Sequence, residues 1–189
     1  VVIACFAIRA RAAYIYMRGE MWEEMVQMDA AIEQARSAGY IGENVLGTGQ
    51  DIDVFTHPGA GAYICGEETG LMQSLEGKRA EPRVKPPFPA QKGIFSRPTT
   101  INNVQTISYV PHIIQHGASW FKEIGNSERY PGTFIYCVSG HVNNPGMFEL
   151  EIGGCTLREI IDECSGGVRA AHEIKAVIPG GSSTPVMTP

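Results

Sequence analysis

No stretch of this sequence is apolar for long enough to cross a membrane: its longest apolar run, Val1–Ile8, falls far short of the ~20 residues a spanning helix needs. Positive charge is not in excess either. Fifteen Lys and Arg stand against 20 Asp and Glu, a net charge of -5, whereas a nucleic-acid-binding domain would be basic. Closely spaced thiols are missing too. Cys5, Cys65, Cys137, Cys155 and Cys164 form no C-x-x-C pair, so no metal site is expected within the chain, and reduced, mostly buried thiols are. The G-x-S-x-G elbow of a nucleophilic hydrolase is absent. No Met opens the chain, and Arg9 and Arg11 follow the first apolar run, which argues against a signal peptide. Both ends read as cut, the first inside a helix and the second just after a Gly-Gly-Ser-Ser turn.

What is present is an ordinary globular balance, 43% hydrophobic and 19% charged, with enough length for one or two cores. Its 22 glycines and 12 prolines gather in a few places and therefore read as shaped loops. After the opening helical stretch, Ala12–Met17 is β-rich and predicts a buried strand. Trp22, Met25, Met28 or Asp29, Ile32 and Ala35 recur at helical spacing, with Gly39 as the stop and the methionines as core packing. Residues 52–56 alternate as a half-buried strand and lead into the turn PGAGAY. A short helix over 66–77 follows, with Glu67 and Glu68 in its first turn, where the helix dipole favours acids. Thr99 or Thr100 would cap a helix running towards His116, with Ile101, Val104, Ile107 and Val110 on one face and a kink at Pro111.

From about Pro131 the pattern changes. Strands are expected at 134–139, 147–152 and 175–178, and Thr156 with Glu159 makes a capping box that opens a helix through Cys164. This ββαβ run reads as a separate α+β unit. The expected organisation is an α/β domain over 1–125 followed by a small α+β domain over 131–189.

Three constellations bear chemistry. The first is Gly59-Ala-Gly-Ala-Tyr-Ile-Cys-Gly-Glu-Glu-Thr. Its small residues let a backbone approach a planar or phosphorylated ligand, and an acid beside such a site can grip ribose hydroxyls and repel a 2′-phosphate. The same residues also serve as a tight strand-to-helix turn with solvated acids. The second is Pro98-Thr-Thr-Ile-Asn-Asn-Val, where two consecutive Asn exceed what a helix cap requires. The third is the excursion Lys78–Arg97, stiffened by Pro82, Pro86, Pro87 and Pro89. It holds six cations against Glu81 alone, a local charge of +5, with Phe88 as a stacking surface. Such a segment suits a diphosphate with a purine, or else it is a solvated charge run.

The run GAGAYICGEETGLMQSLEGKRAEPRVKPPFPAQKGIFSRPTTINNV resembles the signature of the flavoprotein (51 kDa) subunit of respiratory complex I and of related diaphorase subunits of NAD-reducing hydrogenases and formate dehydrogenases. SGHVNNPGMFEL and IPGGSSTPVM are similar to that family's soluble-ligand-binding β-grasp (SLBB) module. The resemblance implies an FMN- and NADH-binding α/β domain followed by a β-grasp domain, with hydride passing from NADH to FMN and single electrons on to an iron–sulfur cluster. By position, Tyr63, Gly66 and Glu67 would line the flavin side, and Asn102 and Asn103 would bind FMN. Glu68 would face the adenosine ribose, and Phe88 would stack on adenine with Lys85 nearby. The flavin carries the chemistry, so no side chain is assigned as catalytic.

The resemblance further implies a [4Fe-4S] cluster outside this chain and partner subunits, especially a thioredoxin-like [2Fe-2S] subunit. It places the protein on the cytoplasmic or mitochondrial matrix side, peripheral to the membrane through those partners and without direct insertion. Gln105 stands where relatives usually carry Glu. An alternative of another class is a non-catalytic assembly module built on the β-grasp half.

Overall fold

The computed structural model describes residues 1–189 apart from residue 171. The chain divides into two compact units, Val1–Pro111 and His112–Pro189.

The first unit is built on a β-α-β crossover. Helix α1 (Val2–Ile8) leads to strand β1 (Ala12–Met17), helix α2 (Trp22–Ser37) returns, and strand β2 (Asp53–Pro58) pairs with β1 in parallel, from Ala12↔Asp53 to Met17↔Pro58. Parallel strands need a crossover of this length, and a helix is the usual one. β1 is rich in β-branched and aromatic residues, and Tyr14 stacks on Phe55 across the pair. The core joins Cys5, Ile32, Ile41, Val45, Ile52 and Val54, with Met28 and Ala35 packed against it. Gln50 reaches over this core and donates to the carbonyls of Cys5 and Ala10, which satisfies the end of α1. Trp22 departs from the expected apolar face. It stands 61% exposed at the first position of α2.

Helix α3 (Glu68–Leu75) follows a single 3-10 turn, Tyr63–Gly66. Helix α4 (Val104–His116) contains Pro111. It begins at Val104, later than the expected start: Asn103 caps it through a 2.8 Å bond from the Gln105 amide to Oδ1. Thr99 is already spent, because its hydroxyl accepts from the Ile94 amide and donates to the Arg97 carbonyl. Ile101 therefore precedes the helix and does not sit on its face.

In the second unit a short helix, α5 (Ala118–Lys122), precedes the antiparallel pair β3 (Thr133–Val138) and β4 (Gly146–Glu151). Helix α6 (Leu157–Glu159) continues as a π-helical turn over Ile160–Cys164. It opens on the expected capping box, Thr156 and Glu159 bonding reciprocally. Val142 and Ile160 are buried here.

The strand expected at 175–178 does not form; Val177 makes an isolated bridge to Met187. Residues 172–181 instead line, together with β3, a cleft of about 1120 Å³, which parts them from the strand they would have to join. All five cysteines are free thiols. They are less buried than expected: only Cys5 and Cys65 are enclosed, and Cys137 is exposed opposite the 76% exposed Met147.

Candidate functional site

β1 and β2 end together at Met17 and Pro58, so the turn Gly59–Gly66 lies just beyond the carboxyl ends of two parallel strands. Open α/β folds place their ligands there. The turn is pinned to β1. The Gly59 amide donates to the Met17 carbonyl at 2.6 Å, and the Tyr16 hydroxyl lies 2.9 Å from Ser74 Oγ of α3. Burial, with the Cys65 thiol beside it, pushes the Tyr16 hydroxyl above its ordinary pKa, and the Ser74 hydroxyl partly offsets this.

The glycines of this turn separate by cause. A Cβ at Gly59 would meet the Tyr16 ring at 2.9 Å, and one at Gly70 would meet the Ile64 carbonyl oxygen at 2.6 Å. Gly61 has φ +87°, which a side chain resists. Gly66 has neither reason. A Cβ there meets nothing within 4 Å, so neither backbone strain nor packing in the protein requires a glycine at this position.

Glu67 caps α3. Its Oε2 accepts from the amides of Thr69 and Gly70, both at 2.8 Å, and from the Thr69 hydroxyl. Its Oε1 faces Lys85 Nζ at 3.4 Å, and Lys85 pairs more closely with Glu68. Burial raises the Glu67 carboxyl, but the Thr69 and Gly70 donors and Lys85 outweigh it and the net direction is down. The bond to Glu68, with Glu67 also near, holds the Lys85 ammonium above its ordinary value. Glu67, Glu68 and Lys85 thus form one partly exposed ion cluster at the start of α3.

The excursion 78–97 is ordered, and its charge is largely met. Glu76, at the end of α3, accepts from Lys78 at 2.8 Å and pairs with Arg83 at 2.8 Å, and its Oε1 also accepts from the Phe95 amide. Lys78 is the largest influence, followed by an opposing burial effect and then Arg83, and the carboxyl falls to about 2. Arg83 also donates to the Gln73 side chain and to the Gly93 carbonyl. Arg79 pairs with Glu81. Four of the six cations, Lys85 included, therefore have acidic partners within this unit. The sequence suggested a naked positive strip; the acids of α3 neutralise most of it.

Phe88, three residues beyond Lys85, is 54% exposed, and Tyr63 is 98% exposed. Asn102 lies on the wall of a cavity of about 640 Å³ between β1, α3 and residues 94–108. Asn103, its neighbour, is the cap of α4. Among the described residues no hydrogen bond or ion pair joins this Asn pair to the acid–lysine cluster.

Sequence reasoning included Thr69 and Arg83 in its constellations but assigned neither a role. Thr69 is 1% exposed, and its hydroxyl accepts from the Arg83 amide at 2.8 Å while donating to Glu67. The available signal was its helical spacing to Cys65 and Met72, which buries a hydroxyl that must then find partners.

Comparison with known proteins adds to this geometry. Residues 1–112 match the family described as Nuo51 FMN-binding domain, and residues 135–188 match the SLBB domain. The chain is 50% identical over 188 residues to an NADH-quinone oxidoreductase subunit of Streptomyces coelicolor, covering 100% of this chain and 41% of that protein. It is 52% identical over 182 residues to the mitochondrial NADH-ubiquinone oxidoreductase 51 kDa subunit of Aspergillus niger, covering 96% of this chain and 36% of that one. It therefore spans about two fifths of the length of these relatives. Among solved structures it superposes on a chain of an NAD+-reducing [NiFe]-hydrogenase in the H2-reduced state with a TM-score of 0.85. That match has 34% identity and covers 99% of this chain and 30% of the other.

Proposed function

Because the chain belongs to the Nuo51 FMN-binding domain family, we propose that its first unit forms part of an FMN and NADH site in a protein that oxidises NADH and passes electrons into a multi-subunit assembly. The observation that carries this reading is Gly66. It lies at the carboxyl ends of two parallel strands, next to an acid–lysine cluster, and nothing in the protein's own packing requires the missing side chain. A planar ligand approaching the backbone would.

In this reading Tyr63, Gly66 and Glu67 line the flavin side, with Asn102 and Asn103 holding FMN by hydrogen bonds. Glu68 takes the adenosine ribose hydroxyls, and Phe88 stacks on adenine beside Lys85. When bound, FMN supplies the hydride-accepting and single-electron chemistry. The residues of the chain bind, orient and screen. A [4Fe-4S] cluster beyond this chain, a thioredoxin-like [2Fe-2S] partner and a location on the cytoplasmic or matrix face, held to the membrane by partner subunits, belong to the same proposal.

A second reading, the diaphorase subunit of a soluble NAD-dependent hydrogenase, is supported by the superposition on the hydrogenase chain. An anaerobic NADH titration of the complete, FMN-loaded protein tests the site in either case. Stoichiometric NADH, but not NADPH, is expected to bleach the flavin absorbance. Flavin that stays oxidised would leave the second unit's role as an assembly module as the working alternative.

A further inference from the structure

Thr69 is the most deeply buried polar side chain near the ion cluster, and one hydroxyl there serves two segments. The Arg83 amide can only donate, so Thr69 Oγ1 accepts from it and its own proton goes to Glu67 Oε2. Three donors converge on that oxygen and Lys85 faces the other at 3.4 Å, so the Glu67 carboxylate is held in one orientation at the helix start. Glu68 differs. Lys85 is its ion partner and it takes no part in capping α3, although its side chain is scarcely more exposed than that of Glu67, 38% against 33%. A partly exposed ion pair contributes modestly, and a hydrogen-bonded diol that replaces the lysine on Glu68 offsets its loss. Because Glu67 remains on Lys85, that exchange does not strand the ammonium.

The second arm of the relay reaches the segment that carries Lys85 and Phe88. Arg83 lies two residues before Lys85, and its main-chain N–H is held on Thr69 while its guanidinium is held on Gln73, Glu76 and the Gly93 carbonyl. The position of Lys85 and Phe88 against α3 is therefore fixed at the main chain through Thr69, beside the anchors of the Arg83 guanidinium.

We propose that Thr69 is a positioning residue for dinucleotide binding: its hydroxyl fixes Glu67 as a permanent anchor on Lys85, registers the 83–88 segment against α3, and leaves Glu68 as the exchangeable carboxylate. This rests on the NADH reading of the site. Thr69 touches no substrate; it acts through Glu67, Lys85 and Phe88.

Steady-state NADH:ferricyanide kinetics of the complete, FMN-loaded protein test it, with Thr69→Val and Thr69→Ser compared with the parent. Thr69→Val is expected to raise KM for NADH at least roughly tenfold, since the bond to the Glu67 carboxylate and the bond from the Arg83 amide are both lost, with kcat and FMN content within about twofold. Its acid limb in kcat/KM moves to higher pH, because Glu67 loses a donor that held its carboxyl down. Thr69→Ser keeps the hydroxyl and behaves as the parent. An unchanged KM in Thr69→Val, a loss in kcat in place of KM, or a serine variant that fails with the valine one each overturns the proposal. Should Thr69→Val shed FMN, Thr69→Ala takes its place. Flavin loss in both, with serine intact, also overturns it, since the hydroxyl then holds the fold and not the nucleotide segment. A parent that NADH does not reduce overturns the site reading and this inference together, and that result precedes any variant.

Discussion

Replacing Glu76 by Gln keeps the shape of the side chain and removes the charge that holds the proline-rich excursion onto α3. Lys78, Arg83 and the Phe95 amide all point at this carboxylate, whose side chain is only 7% exposed. Its fall from 4.5 to about 2 corresponds to about 3.4 kcal/mol. Lys78 is 63% exposed, so solvent screens part of this, and halving the figure leaves about 1.7 kcal/mol.

The group is depressed in the folded state. Its contribution is therefore complete above the ordinary pKa of 4.5 and is lost as pH falls towards 2. Backbone hydrogen exchange over residues 83–97 reads it directly, because the segment opens locally. At pH 7 Glu76→Gln is expected to speed exchange of the Phe95 amide about 18-fold relative to the parent. About two fifths of the energetic difference should remain at pH 3. Equal exchange at pH 7, or a difference as large at pH 3 as at pH 7, would refute the reasoning, since the charge would then not be what holds the segment.

Other substitutions separate packing from ligand binding. Gly66→Ala should leave thermal stability within about 0.5 kcal/mol while weakening FMN binding at least roughly tenfold, read by flavin fluorescence titration. Gly70→Ala places a methyl 2.6 Å from the Ile64 carbonyl oxygen and should cost about 1–3 kcal/mol in denaturant melts. Glu68→Ala should raise NADPH turnover relative to NADH, and an unchanged ratio removes Glu68 from the ribose role. Ile52, with 0% exposure, should cost about 2–5 kcal/mol when cut to Ala, seen as an earlier unfolding midpoint in urea.

Local grammar carried much of the architecture. The β-rich run 12–17 became β1 with the expected ends, and Thr156 with Glu159 formed the capping box, because both signals act within a few residues. What needed the fold was different in kind. Charge could be counted over Lys78–Arg97, but pairing Arg83 with Glu76 and Lys85 with Glu67 and Glu68 depends on the path by which the excursion returns to α3. That path is held by Thr69 and by the 2.7 Å bond from the Gly93 amide to the Arg97 carbonyl. Thr99 looked like a helix cap because threonines favour that role, yet the Gly93–Arg97 turn claims its hydroxyl first. Val177 has the composition of a strand, but composition does not supply a neighbouring edge. The three constellations were legible as residues; that Glu67 is spent on capping while Glu68 is not was invisible without coordinates.

The two strand pairs also differ in how they can assemble. β3 and β4 meet first at Val138↔Gly146, across a short connection, and can zip outward from it. Every partner in β1 and β2 lies 41 positions away, as Ala12↔Asp53 shows, with α2 in between. Closing the longer loop costs about 1.5 kcal/mol more chain entropy before any contact rewards it. The half of the chain that leaves the ribosome first is thus the one with the slower nucleus. Its parallel pair waits for α2 to form and dock, while the later hairpin needs only its own turn.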